Sequence, residues 1–225
     1  MQIEINVKKE KDSDKSYRKV KERKTPSDLT VNKKFKKTAT SVWGYEPTKT
    51  GDSIRYLFLG TIPSKAGYEE GFYYLSDSNQ FYRMLDETLY SGRPVYEKMK
   101  KDKDVNKLET KLLEDGIVLF DTLRYCERLS SLDSDIIRYS LHTSKEIEKL
   151  IRDCPNLSTI IFTSSLSKRF FREIFALKEN ERINDKKMKQ IFGKNIAVKT
   201  IPSPSGFNSS NYDKAIEKLT KILDK

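Results

Sequence analysis

The chain has 225 residues, of which 36% are hydrophobic and 34% charged, and its 44 Lys and Arg outnumber 33 Asp and Glu for a formal charge of +11. That length suits one domain or a domain with a tail, and the basic surplus favours a polyanionic partner, nucleic acid ahead of an anionic membrane surface. Two cysteines and one histidine exclude a disulfide framework and make a zinc or iron–sulfur centre a poor fit; with reduced thiols, the expected setting is cytoplasmic.

Residues 1–50 carry 14 Lys/Arg against 7 acids, +7 of the total, with few apolar residues between them. They read as a basic N-terminal arm, flexible or partly ordered, able to bind phosphates without reading sequence. Trp43, Tyr45 and Pro47 close the arm with apolar weight that could dock it. No apolar run reaches the ~18 residues of a membrane span, and no signal-peptide pattern opens the chain.

The ordered domain is expected over 51–225. Four short apolar runs read as buried strands: Ile54–Leu59, Ile117–Phe120, Ser158–Phe162 and Ile196–Ile201. Between and after them, apolar residues at helical spacing predict helices over Asn79–Leu89, Thr143–Asp153, Ser165–Leu177 and Tyr212–Leu223. Thr143 and Glu146 have capping-box spacing at the start of the second. Cys126 reads as a small core residue, and Cys154 precedes Pro155 at a helix end. Strands alternating with helices predict a mostly parallel sheet covered on both faces. Ligands of such sheets bind beyond the carboxyl ends of the strands, so the loops after Leu59, Phe120, Phe162 and Ile201 are where chemistry is expected.

Two of those loops are rich in Gly, Pro and Ser, which suit tight turns near a ligand. Gly60-Thr61-Ile62-Pro63-Ser64 follows the first strand and leads through Gly71-Phe72-Tyr73-Tyr74 to Asn79-Gln80-Phe81-Tyr82. Pro202-Ser203-Pro204-Ser205-Gly206-Phe207-Asn208 follows the last. In this order, with the stretch from Leu119 to Ile136 between them, the segments resemble the uracil-DNA glycosylase superfamily. The nearest branches are the hypoxanthine-DNA glycosylase-like and mismatch-specific uracil glycosylases. The likeness spans roughly Ile54 to Leu223.

The resemblance implies a three-layer α/β/α sandwich around a short central parallel sheet. It also implies a monofunctional enzyme acting on DNA as a monomer, without metal or cofactor, that flips a deaminated or modified base and hydrolyses its N-glycosidic bond. Gly60, Thr61, Ile62, Pro63 and Ser64 would then present backbone groups to the base, and Tyr74 would stack on it. Ser203, Pro204, Ser205, Gly206, Phe207 and Asn208 would pinch the DNA backbone, Phe207 filling the space the base leaves.

One departure matters. Many members hold the attacking water with an acid or amide directly before the first-loop proline, and here that position is Ile62, which cannot hydrogen-bond. The hypoxanthine group is thought to use an asparagine that corresponds to Asn79, which could equally cap the helix that follows. Asp121 is the second candidate, to fix the water or face positive charge on the sugar, unless it too is a loop cap. A catalytically inactive DNA-binding module of this fold, or a glycosylase directed at modified bases in foreign DNA, are the alternatives.

Overall fold

The computed structural model describes residues 18–19, 39–130, 133–178, 180–205 and 209–223. Along the chain run β1 (Arg18–Lys19), β2 (Thr40–Trp43), β3 (Tyr56–Gly60) and the short α1 (Lys65–Glu69). Then come α2 (Phe81–Tyr90), α3 (Val95–Lys101), α4 (Val105–Glu114), β4 (Ile117–Asp121), β5 (Leu123–Arg128) and β6 (Ile136–Leu141). They are followed by α5 (Ser144–Arg152), β7 (Thr159–Phe162), α6 (Ser165–Ile174), α7 (Asp185–Phe192), β8 (Ala197–Thr200) and α8 (Ser209–Leu223).

The four apolar runs become β3, β4, β7 and β8, paired in parallel in the order β4-β3-β7-β8. Alternate residues of each strand leave on opposite faces, which produces two cores. Tyr56, Phe58, Ile117, Leu119 and Ile161 pack on one side against Phe81, Leu85, Tyr96, Leu108, Leu112 and Leu219 of α2, α3, α4 and α8. Leu57, Leu59, Val118, Phe120, Ile160 and Phe162 pack on the other against Ile147, Leu150, Phe171 and Met188 of α5, α6 and α7. The result is the expected three-layer α/β/α sandwich. Each fully buried aliphatic or aromatic side chain contributes roughly 1.5–3 kcal/mol to holding the layers together.

The helix ends follow the sequence closely. Thr143 and Glu146 form the expected capping box at the start of α5, which buries Ile147, Leu150 and Ile151 on one face. α2 begins at Phe81, two residues after the expected start at Asn79. Cys126 and Cys154 are free and buried.

A second, antiparallel sheet in the order β1-β6-β5-β2 was not anticipated. It packs Val42, Leu123, Cys126, Ile136 and Tyr139 against Phe170 of α6. Packed structure therefore begins before position 51. Val42 is fully buried in β2. Further on, Thr48 donates its N–H to the Leu119 carbonyl (3.1 Å) and accepts the Leu119 N–H on its hydroxyl (2.9 Å), covering the open edge of β4. No helix among the described residues is long and apolar enough to cross a membrane.

Candidate active site

β3 is first in sequence but lies inside its sheet, with β4 on one side and β7 on the other. The chain leaves β3 toward β4 and leaves β7 toward β8, in opposite directions, so a crevice opens between the carboxyl ends of β3 and β7. A cavity of about 270 Å³ occupies it. That is near the lower end of the ~300–1,000 Å³ of small-ligand pockets, a size for one heterocycle and water.

Gly60 ends β3 beneath this cavity. A side chain there would place its Cβ 2.3 Å from Asp121 Oδ1 and 2.9 Å from the Tyr74 hydroxyl, so only glycine fits. Thr61, Ile62, Pro63 and Ser64 line the wall above it. The Thr61 hydroxyl lies 3.1 Å from that of Ser164, and Ser64 accepts the Gly67 N–H to cap α1. Ile62 is buried among the apolar residues of the antiparallel sheet. The apolar side chain at this position anchors the loop.

Tyr74 also lines the cavity, its ring stacked on Phe81 at 4.2 Å between centroids and 25° between planes. Phe81 belongs to the core and backs Tyr74 from that side. Tyr74 has φ of +57°, a left-handed conformation that costs a bulky residue roughly 1–3 kcal/mol and persists only where neighbours enforce it. They do so through Tyr73, whose hydroxyl donates to the carbonyls of Tyr45 and Glu46 (both 3.1 Å) and whose carbonyl accepts the Tyr82 hydroxyl (2.9 Å).

Asn79 joins the first loop system to the last. Its Nδ2 donates to the Ser205 hydroxyl (3.1 Å), the two residues form an isolated antiparallel bridge, and the Gln80 N–H donates to the Pro204 carbonyl (3.0 Å). Its Oδ1 accepts the Phe81 N–H (3.0 Å) at the start of α2. The N-cap of α2 is Gln80, which makes no side-chain cap, so Asn79 supports the helix start from one residue further out, while its side chain lines the cavity with Tyr74 and Ser205. From behind, the buried Lys100 ammonium donates to the Asn79 main-chain carbonyl (2.7 Å).

Asp121 ends β4 and is 3% exposed, and its Oδ2 has no hydrogen-bond partner. Burial first, and the charge of Asp133 second, push its pKa up to about 8. Ser203, Pro204 and Ser205 form the far wall. Gly206, Phe207 and Asn208, expected to contact DNA, lie outside the described residues.

The cavity also holds residues the sequence did not single out: Ser76, Asp133, Thr163 and Ser164. Asp133 had a signal, since it falls within the Leu119–Ile136 stretch. Thr163 and Ser164 had a weaker one, as the residues directly after the third strand. His142 lies elsewhere, packed on Phe120 at 4.5 Å, and burial lowers its pKa. Among the described residues no group of three or more His, Cys, Asp or Glu could hold a metal ion.

No protein-family model matches this chain, and no curated protein does. A solved structure does. The solution NMR structure of a Methanosarcina acetivorans protein, provisionally described as a uracil DNA glycosylase, superposes with a TM-score of 0.58 at 18% identity, covering 83% of this chain and all of that one. The chain thus has a uracil-DNA-glycosylase-like fold.

Proposed function

We propose that the protein is a monofunctional DNA glycosylase of the uracil-DNA glycosylase superfamily, which flips a deaminated or otherwise modified base into this cavity and hydrolyses its N-glycosidic bond. The observation that carries this reading is the meeting, at the switch point of a glycosylase-like sheet, of an aromatic face, a buried carboxyl and an amide within one base-sized cavity.

The chemistry follows from the placement. Extrahelical bases are held by stacking and by polar contacts to their edge. Tyr74, which lines the cavity and is backed by Phe81, is the ring on which the base stacks. Asp121 is largely protonated at pH 7, and a neutral carboxyl can donate to a base carbonyl with one oxygen and accept from a ring N–H with the other. The Asn79 carbonyl spends one lone pair on Phe81 and keeps a second for a water. An amide fixes such a water without taking its proton, so its part is to position the nucleophile as the base departs. The residues Ser203–Asn208 pinch the DNA backbone, and Phe207 enters the stack.

The test is alkali-labile site formation on duplex and single-stranded oligonucleotides, each with one lesion, over uracil, hypoxanthine and alkylated or oxidised bases. Cleavage at one or a few lesions supports the proposal. Binding across the whole panel with no labile site would favour an inactive DNA-binding module, a reading that Ile62 and the structural use of the Asn79 amide make the main competitor.

A further inference from the structure

Two carboxyl groups line the cavity, and their surroundings set them apart. Asp121 is sealed at its floor. Asp133 keeps 39% of its side chain in solvent, and its Oδ1 lies 3.4 Å from Nη2 of Arg128. The Thr61 side chain also favours its ionised form. Arg128 is 1% exposed. It donates from Nη1 to the Pro63 carbonyl (3.0 Å) and from Nε to the Ser130 carbonyl (2.7 Å). One buried guanidinium thus ties the Gly60–Ser64 loop, the turn after β5 and the Asp133 carboxylate into a single unit.

Burying a guanidinium carries a desolvation cost of several kcal/mol, offset only by good hydrogen bonds. A surface acid needs no such mount. The arrangement fixes one anion at the edge of a cavity that holds another carboxyl, and the charge of Asp133 is felt at both Asp121 and Tyr74. Burial raises the pKa of Asp133, while Arg128 and Thr61 pull it back toward the ionised form. Paired acids whose surroundings differ in this way divide the work of a site between a neutral and a charged member.

Resting on the glycosylase reading, we propose that Asp133 is a catalytic carboxylate, the anion that faces the deoxyribose as the glycosidic bond breaks and accepts the proton of the attacking water. The C1′–N bond breaks with both electrons leaving on the base. The oxygen of the water held by Asn79 bonds to C1′, and its proton passes to Asp133. Asp133 then yields that proton through solvent to the released base. The base gains one hydrogen, the sugar one hydroxyl, and the carboxylate is restored. Arg128 holds the anion in place throughout.

The experiment measures single-turnover excision by the full chain and its Asp133→Asn and Asp133→Glu variants on the lesion that the wild type cleaves fastest, with DNA affinity and thermal midpoint taken on the same preparations. The expected result for Asp133→Asn is a rate loss on the order of 10²-fold or more with affinity and fold retained, as for loss of a general base. If the amide does not fold, Asp133→Glu, which keeps the charge but moves it, carries the test with a loss of about tenfold or more. A folded Asp133→Asn, or failing that Asp133→Glu, that cleaves within threefold of the wild-type rate overturns the assignment and leaves the glycosylase reading standing. A wild type that excises nothing from the panel overturns both.

Discussion

Asp121 couples the cavity to the stability of the whole chain. Its pKa is about 8 in the folded protein against an ordinary carboxyl value of 3.8. Between those values the folded state keeps a proton that the unfolded state has lost, so the contribution of Asp121 is fully present below about pH 4 and is lost as pH rises to about 8. Linkage makes this on the order of 1.4 kcal/mol for each unit of separation. Asp133 adds to the trend in the same direction, since its pKa is raised too. Asp121→Asn is expected to flatten most of the slope and to be more stable than the wild type near pH 8, as measured by urea unfolding at pH 5 and pH 8. Equal slopes in the two proteins would show that Asp121 is ionised in the fold. Tyr74 and Asn79 were named through the family resemblance, while Gly60 and Asp121 also stood out as residues directly at strand ends. The mount of Asp133 was not legible in the sequence. Arg128 is separated from Pro63 by 65 positions, and a lone arginine in a strand gives no sign that it is buried.

At the level of elements, the loops after β3 and β8 act as one device because Asn79 and Gln80 are hydrogen-bonded to Ser205 and Pro204. Asn79 serves both the start of α2 and the cavity, and Asn79→Ala separates the two. The cap is expected to be worth ~0.5–2 kcal/mol of stability. Single-turnover excision should fall far more than that loss explains, while DNA affinity changes little, because the water is used in the transition state. A variant that loses only the cap energy and excises normally would assign Asn79 to structure alone. The parallel strands were readable as unbroken apolar runs because both of their faces are buried. The antiparallel sheet was not. β5 and β6 (LRYCER and IIRYSL) mix charged, polar and apolar residues, and β2 lies in a stretch dominated by lysine. α3 and α4 escaped for a related reason: each buries only two residues among many charges.

The charge of the whole molecule is concentrated in its first fifty residues, whose final part, from β2 to Thr48, belongs to the packed domain. The remainder reaches the antiparallel sheet at Arg18 and Lys19, which pair with Tyr139 and Arg138 of β6. Deleting residues 1–38 stops short of β2. It is expected to leave the thermal midpoint within a few degrees of the full chain and to weaken DNA binding. The salt dependence should become shallower by about 0.9 in log–log slope for each phosphate that the arm no longer neutralises. An unchanged slope would mean that the arm does not touch DNA.

The mass of the DNA itself reads the proposed hydrolysis directly. After incubation of the full chain with its best lesion duplex, without alkali, the expected products are a damaged strand lighter by the base and heavier by one water oxygen and hydrogen at C1′, its backbone uncut, and free base in solution. An unchanged strand, or one cut at the lesion by the protein alone, would contradict the proposed hydrolysis.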